Sequence, residues 1–245
     1  MTPPAAGAKE FAGVRVTPLR VLRSEWTKFI SLRSTYYTML AAVVIIVGLG
    51  AAFSAAVASA GPQGLEDSGR RGGPDMMNAI AVSLNGVSLA QLAVGVLGVL
   101  LISGEHSTGM IRSTLMAVPR RLPVLWSKAA LLTLVTVTLT IPAAFAAFGL
   151  SQWILRGTTL QAGLADPGVA RAIIGAGLYL SVTGLLGLGL GAILRSTAGA
   201  ITTLVALLLI APVLVLPLPS NWQQTITPYL PGNAGQAVWT LAPAS

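Results

Sequence analysis

Uncharged stretches and short charged segments alternate along this chain of 245 residues. Five stretches contain no Asp, Glu, Lys or Arg, and each is longer than the roughly 20 apolar residues that cross a hydrocarbon core as a helix. They lie between Arg33 and Glu66, Asp75 and Glu105, Lys128 and Arg156, and Arg171 and Arg195, and from Arg195 to the C-terminus. Lipid is the solvent in which so much uncharged surface is stable, so the pattern predicts an all-α polytopic membrane protein.

The pattern also divides the chain. The predicted spans cover about residues 36–60, 77–103, 122–150, 170–194 and 198–218. Residues 1–16 are predicted to be disordered, and residues 17–34 to form an amphipathic helix that begins at Thr17 and Pro18. Residues 35–245 then form the transmembrane domain, in which 61–74 is a short outer loop and 219–245 an outer tail.

The small residues at 57–61 resemble a signal-peptide cleavage site. The uncharged run before them is longer than the about 7–15 residues of a signal-peptide core, and a polar segment of 33 residues precedes it. We therefore expect the first span to be retained.

Composition and charge agree with a membrane protein. Hydrophobic residues make up 54% of the chain and charged residues 9%, whereas soluble domains carry about 25% charged residues. Cysteine is absent, which excludes disulfides and thiolate metal sites. The net charge of +8 lies beside the spans, so it indicates membrane lipids as the partner and not nucleic acid.

The basic residues predict the orientation. Eleven of the 15 Lys and Arg residues fall on the side of the N-terminus if the five spans alternate in direction. Because short cytoplasmic loops carry an excess of Lys and Arg, we expect a multi-pass protein of the cell membrane with a cytoplasmic N-terminus.

No enzyme site is predicted. His106 is the single histidine, which excludes histidine-based triads and paired-histidine metal sites. The chain has no nucleophile elbow and no phosphate-binding loop ending in Gly-Lys-Ser/Thr. Gly184, Gly187, Gly189 and Gly191 lie inside an apolar span, where they predict close helix packing and not a dinucleotide site.

Neutral polar residues within the spans have two interpretations. Asn85 and Gln91 lie in the second span, and Thr133 and Thr136 lie on one face of the third. They either form hydrogen bonds between helices or line a substrate path. No ionisable residue lies in the middle of a span, which argues against an ion-coupled carrier.

The loop that follows the second span is the most informative segment. Glu105 lies at the membrane exit, Gly109 permits a bend, and residues 110–118 predict a short amphipathic helix that ends at Pro119. This helix is too short to span. It is either a connector in the headgroup region or a docking helix for another protein.

Two motifs resemble those of permease subunits of ABC-2 type exporters of the actinobacterial kind (a type V exporter-like fold). One is Ser24-Glu25-Trp26-Thr27-Lys28 with Ser31-Leu32-Arg33-Ser34. The other is Gly104-Glu105 through Gly109, with Arg112, Leu115 and Pro119-Arg120-Arg121. The order of the spans also fits, but the family has six spans and this sequence predicts five. Either the chain is truncated or trimmed, or its last crossing lies beyond Ser245. The tail would then be the external re-entrant segment that precedes the sixth span.

The resemblance implies roles for these residues. The N-terminal helix would be a cytoplasmic elbow, and the elbow residues are Glu25, Trp26, Lys28 and Arg33. The helix at 110–118 would be the coupling helix that docks on a separate ATP-binding subunit. The coupling residues are Glu105, Gly109, Ile111, Arg112, Leu115, Arg120 and Arg121.

The sequence thus predicts the membrane subunit of an ATP-driven exporter, without chemistry of its own. Its partners would be an ABC ATP-binding subunit, which holds ATP and Mg²⁺, and a second copy or paralogue of the permease. A charge-free lining favours a hydrophobic or amphipathic substrate. The alternative is a membrane anchor or immunity protein that recruits a soluble partner without transport.

Overall fold

The computed structural model describes residues 23–27, 29, 33–72, 79–107, 121–158 and 160–239. Every regular element in these ranges is helical. The helices are α1 (Arg33–Gly72), α2 (Ala79–Ser83), α3 (Val87–Ser107), α4 (Arg121–Ile154), α5 (Val169–Leu194), α6 (Thr197–Val205), a π-helix (Ala206–Ile210), α7 (Ala211–Val215), α8 (Ser220–Ile226), a 3₁₀ turn (Thr227–Tyr229) and α9 (Pro231–Trp239).

Five helical segments in the described part of the chain are long and apolar enough to cross a membrane. They are Ser34–Ala60, Val87–Gly104, Leu125–Ile154, Val169–Leu194 and Thr197–Val215. The predicted all-α architecture and the number of spans are therefore confirmed. The helices indicate a membrane protein.

The first predicted loop is helical as far as Gly72, the last residue of it that the structure describes. Residues 61–74 contain several glycines and were expected to leave the helix, yet α1 continues to Gly72. The sequence spacing of Glu66 with Arg70, and of Asp67 with Arg71, is the i,i+4 spacing that stabilises a helix. Pairs at this spacing offset part of the weak helix propensity of glycine.

The second predicted span is broken. A turn at residues 84–86 separates α2 from α3. A Cβ atom at Gly86 would lie 2.5 Å from the carbonyl oxygen of Ile45, so only glycine permits this close approach to α1. The backbone contact with α1 sets the position of the break.

The fifth span changes its helical repeat near Pro212. The amide of Ala211 donates to the carbonyl of Ala206, five residues earlier, in the π-helix. Proline has no amide hydrogen and its ring clashes with the preceding turn, which displaces the hydrogen-bond ladder. The helix ends at Val215, three residues before the predicted end of the span.

A two-residue turn joins α5 to α6. Arg195 has φ 51°, in the left-handed region, and the Ser196 hydroxyl accepts a hydrogen bond from the Gly199 amide at 3.3 Å. This N-cap starts α6 at once, and α6 packs back against α5. The short connection between the fourth and fifth predicted spans is therefore a tight turn, and the two helices form a hairpin.

Helix α5 lies at the centre of the bundle, in contact with α3, α4, α6 and α9. A Cβ atom at Gly98 of α3 would overlap the Gly184 carbonyl, and one at Gly187 of α5 would overlap the Gly95 carbonyl. Gly191 likewise faces α3, whereas Gly189 faces open space. The predicted small-residue face is thus confirmed for three of its four glycines.

Exposed aromatic side chains mark the two ends of the bundle. Trp26, Tyr36, Tyr37 and Trp126 lie at the end that carries the first described residues, here called the N-terminal end. Trp153 and Trp222 lie at the opposite end, here called the C-terminal end. Trp and Tyr at both ends of apolar helices are typical of the two membrane–water interfaces.

Candidate functional site

Two of the residues predicted to couple the chain to an ATPase, and one predicted elbow residue, lie at the N-terminal end. Glu105 and Arg121 belong to α3 and α4, and Arg33 begins α1, but only their backbones are described. The predicted helix at 110–118 lies outside the described residues. The same holds for a further set of predicted site residues: Lys28, Gly109, Ile111, Arg112, Leu115 and Arg120.

The predicted elbow is described at residues 23–27 and 29, which are helical. Glu25 and Phe29 are four residues apart, on one face of a helix, and both are buried. Trp26 is 41% exposed, as expected for a side chain at a membrane interface. The segment therefore inserts one face into the protein and turns the other outward.

The buried carboxylate of Glu25 has a cationic partner. The Lys128 ammonium of α4 donates to Glu25 Oε2 at 2.6 Å. The two side chains are only 7% and 3% exposed, for Lys128 and Glu25 respectively. A charge removed from water is tolerated when it is paired, so this contact fixes the N-terminal segment on α4.

Phe29 completes the junction. Its ring belongs to a cluster that includes Leu101 and Ile102 of α3, Leu132 of α4 and Leu188 of α5. The N-terminal segment thus contacts the end of α3 and the beginning of α4, the two helices that flank residues 108–120. The segment is therefore packed against both helices and paired with one of them.

Sequence reasoning missed this role of Lys128, which it counted among the charges that flank the spans. Lys128 is the fourth residue of the apolar segment Leu125–Ile154, inside the helix. A charge at that position either reaches back to the headgroups or requires a partner. That placement was the available signal, but the identity of the partner, 103 residues away, was not evident from the sequence.

The polar residues inside the bundle occupy a second region. Gln91 of α3 is buried, and its Oε1 accepts a hydrogen bond from the Tyr179 hydroxyl of α5. Gln91 Nε2 donates to the Ser88 carbonyl at 2.8 Å. Both halves of this amide are therefore paired, in the way expected of a hydrogen bond between helices.

The threonines of α4 share the face turned toward the interior. Thr136 and Thr140 are fully buried, and Thr133 is half-buried. The Thr140 hydroxyl donates to the Thr136 carbonyl at 2.8 Å and lies 3.4 Å from the Gly177 carbonyl of α5. The Thr136 hydroxyl is buried without a hydrogen-bond partner. Asn85, half-buried, lies in the turn between α2 and α3 and not in a continuous helix.

The described residues contain no cluster of three or more His, Cys, Asp or Glu that would hold a metal ion. Comparisons with protein-family models, with curated proteins and with solved structures give no match for this chain. The function is therefore argued from the residues themselves.

Proposed function

We propose that this chain is the permease subunit of an ATP-driven ABC exporter, located in the cell membrane with its N-terminus in the cytoplasm. The proposal is supported by five apolar helices, by basic residues concentrated on the N-terminal side, and by the two sequence motifs. The substrate would be hydrophobic or amphipathic, because the bundle interior carries neutral polar groups and apolar side chains.

The junction of Glu25, Phe29 and Lys128 carries the proposal. A permease without its own motor must receive force from a soluble ATPase at one end. Residues 108–120 are flanked by α3 and α4, and the N-terminal segment joins the ends of both. An ATPase that binds the predicted helix at 110–118 would then move three elements together, provided that its affinity differs between two permease states.

The proposed assembly contains two permeases and two ATP-binding subunits, which hold ATP and Mg²⁺. Apolar side chains exposed on α1 and α7, such as Leu40, Val44, Val213 and Leu214, suit contact with lipid and with a second permease. The assembly would open a path between the permeases when the ATPases close.

The test is reconstitution of the chain in lipid vesicles with candidate ATP-binding subunits from the same genome. We expect no ATP hydrolysis by the chain alone, and ATP-dependent movement of a hydrophobic dye only with a cognate ATPase. Recruitment of a soluble protein without ATP-dependent transport would favour the membrane anchor. Hydrolysis by the chain alone would contradict the proposal.

A further inference from the structure

The C-terminal helix α9 turns back into the bundle. Gly232, in its first turn, faces the Leu208 carbonyl of the π-helix. Further along, Gly235 faces Tyr179, and Val238 faces Gly175, nearer the start of α5. The helix therefore begins beside the fifth span and runs outward along α5, toward the C-terminal end.

Gly235 is in direct contact with the Tyr179 ring. A Cβ atom at Gly235 would overlap the ring carbons Cδ2 and Cε2. The only ways to accommodate an added methyl group are to rotate the ring or to move α9. Tyr179 is 8% exposed, so α9 and its neighbours cover almost the whole side chain.

Tyr179, the residue that α9 covers, is the α5 member of the polar contact between α3 and α5. Its hydroxyl donates to Gln91, which is 7% exposed. One turn further along α5, the Thr183 hydroxyl donates to the Tyr179 carbonyl at 3.0 Å, and Thr183 is 3% exposed. Two helices of a membrane bundle thus meet through polar groups, next to the ring that α9 covers.

We propose that α9 is a lid that holds Tyr179 against Gln91 and covers the polar contact between α3 and α5 from the C-terminal end. When α9 moves outward, the Tyr179 ring follows into the vacated space, the hydrogen bond to Gln91 breaks, and water reaches Thr183. Leu230, just before α9, has an extended backbone between the 3₁₀ turn and the helix, which separates the lid from α8. The lid does not depend on the proposed function, because any protein with this bundle would have it.

The chain contains no cysteine, so a single introduced thiol reports on local opening. Thr183→Cys is the reporter next to the ring that the lid covers. Ser103→Cys, buried on α3 near the N-terminal end of the bundle, reports on loosening of the whole bundle. The full chain is placed in lipid nanodiscs, and the rate of reaction with a water-soluble maleimide is measured for each thiol.

Each reporter is combined with Gly235→Ala, with Gly232→Ala as the matched control on the same helix, or with Tyr179→Phe, which adds no atoms. A Cβ atom at Gly232 would lie 4.0 Å from the Leu208 carbonyl, in ordinary contact, so this control fits. We expect the thiol at position 183 to react about tenfold faster with Gly235→Ala, and severalfold faster with Tyr179→Phe, since local opening follows the loss of the contacts that hold it. Gly232→Ala should change neither thiol.

The proposal is overturned if Gly235→Ala and Tyr179→Phe leave the rate at position 183 unchanged. It is also overturned if the thiol at position 103 accelerates to the same extent, because the whole bundle would then have loosened. If Gly235→Ala does not fold, Tyr179→Phe alone decides between these outcomes.

Discussion

Different chemistry joins the helices at the two ends of the bundle. At the N-terminal end, a buried carboxylate and a buried ammonium join the N-terminal segment to α4. Toward the C-terminal end, a neutral tyrosine–glutamine hydrogen bond joins α3 to α5, beneath a helix that contacts the ring through a glycine.

Depth in the membrane accounts for the difference. Lys128 is the fourth residue of its apolar segment, close to the headgroups, where a charge pair is tolerated. Tyr179 is ten residues into α5, about 15 Å from its start, where neutral groups are less costly to bury. A charge pair is expensive to separate and a neutral hydrogen bond is not. The N-terminal junction is therefore the harder of the two contacts to separate, as the proposed transmission of force and the proposed lid both require.

The largest effect is expected from Glu25→Gln, which leaves the Lys128 ammonium buried without its charged partner. Breaking a buried ion pair from one side lowers the free energy of unfolding by about 3–5 kcal/mol. Chemical denaturation in detergent micelles measures the loss. The exchanged pair, Glu25→Lys with Lys128→Glu, should recover part of it.

Arg156→Gln is the matched control, because Arg156 is exposed at the C-terminal end. Its effect should stay within about 0.5 kcal/mol, as for most surface substitutions. If Glu25→Gln and Arg156→Gln lowered the free energy of unfolding equally, the result would contradict the comparison of the two ends.

The next effect comes from the glycines that connect the two ends through α3 and α5. Gly98→Ala places a methyl group against the Gly184 backbone and should lower the free energy of unfolding by about 1–3 kcal/mol, the usual range for overpacking. Gly189→Ala on α5 is the control, since nothing lies within 4 Å of its Cβ position. A similar loss from both substitutions would contradict the role of the contact, because alanine has the higher helix propensity and should not by itself destabilise either helix.

Charge reversal at the predicted coupling loop tests whether force enters at the N-terminal end. Arg112→Glu should reduce ATP-dependent transport about tenfold, the change expected when roughly 1.4 kcal/mol is lost from a docking contact, and leave membrane insertion intact. Glu105→Lys should act in the same way. Arg171→Glu reverses a charge that is exposed at the opposite end, so it should leave coupling unchanged. Full coupled transport by the Arg112 variant would rule out the docking role.

The smallest effect is expected from Tyr179→Phe. Removal of one neutral hydrogen bond changes the free energy of unfolding by about 1 kcal/mol. Combination with Gln91→Leu should restore stability, because no buried group is then left unpaired. Tyr229→Phe, at a tyrosine that is 83% exposed, provides the control in the same denaturation assay. If Tyr179→Phe lowered the free energy of unfolding by much more than Glu25→Gln does, the comparison of the two ends would be reversed.

The spans were predictable because the absence of charge is a property of the sequence alone. The hairpin at Arg195 and Ser196 followed from the shortness of the charged segment. The break at residues 84–86 was not predictable, since it depends on the approach of Gly86 to the α1 backbone. The predicted end of α1 came too early, because the prediction gave its glycines more weight than the spacing of its charged residues.

The candidate site was predicted in part. The motif that contains Glu25 drew attention to the N-terminal segment, but its pairing with Lys128 required the packing of distant helices. Gln91 was selected because a buried amide is costly to leave unpaired, and the structure provides the partner. That partner, Tyr179, has no distinguishing pattern in a span rich in glycine and leucine.

Arg195 illustrates how two demands on one position conflict. Its left-handed backbone, with φ 51°, costs a residue with a side chain about 1–2 kcal/mol, and glycine would adopt it freely. Glycine would also remove the sole charge from the turn between α5 and α6. Because basic residues beside a span bias the direction in which it enters the bilayer, the strained arginine keeps a signal that is read during biosynthesis, before the folded turn exists.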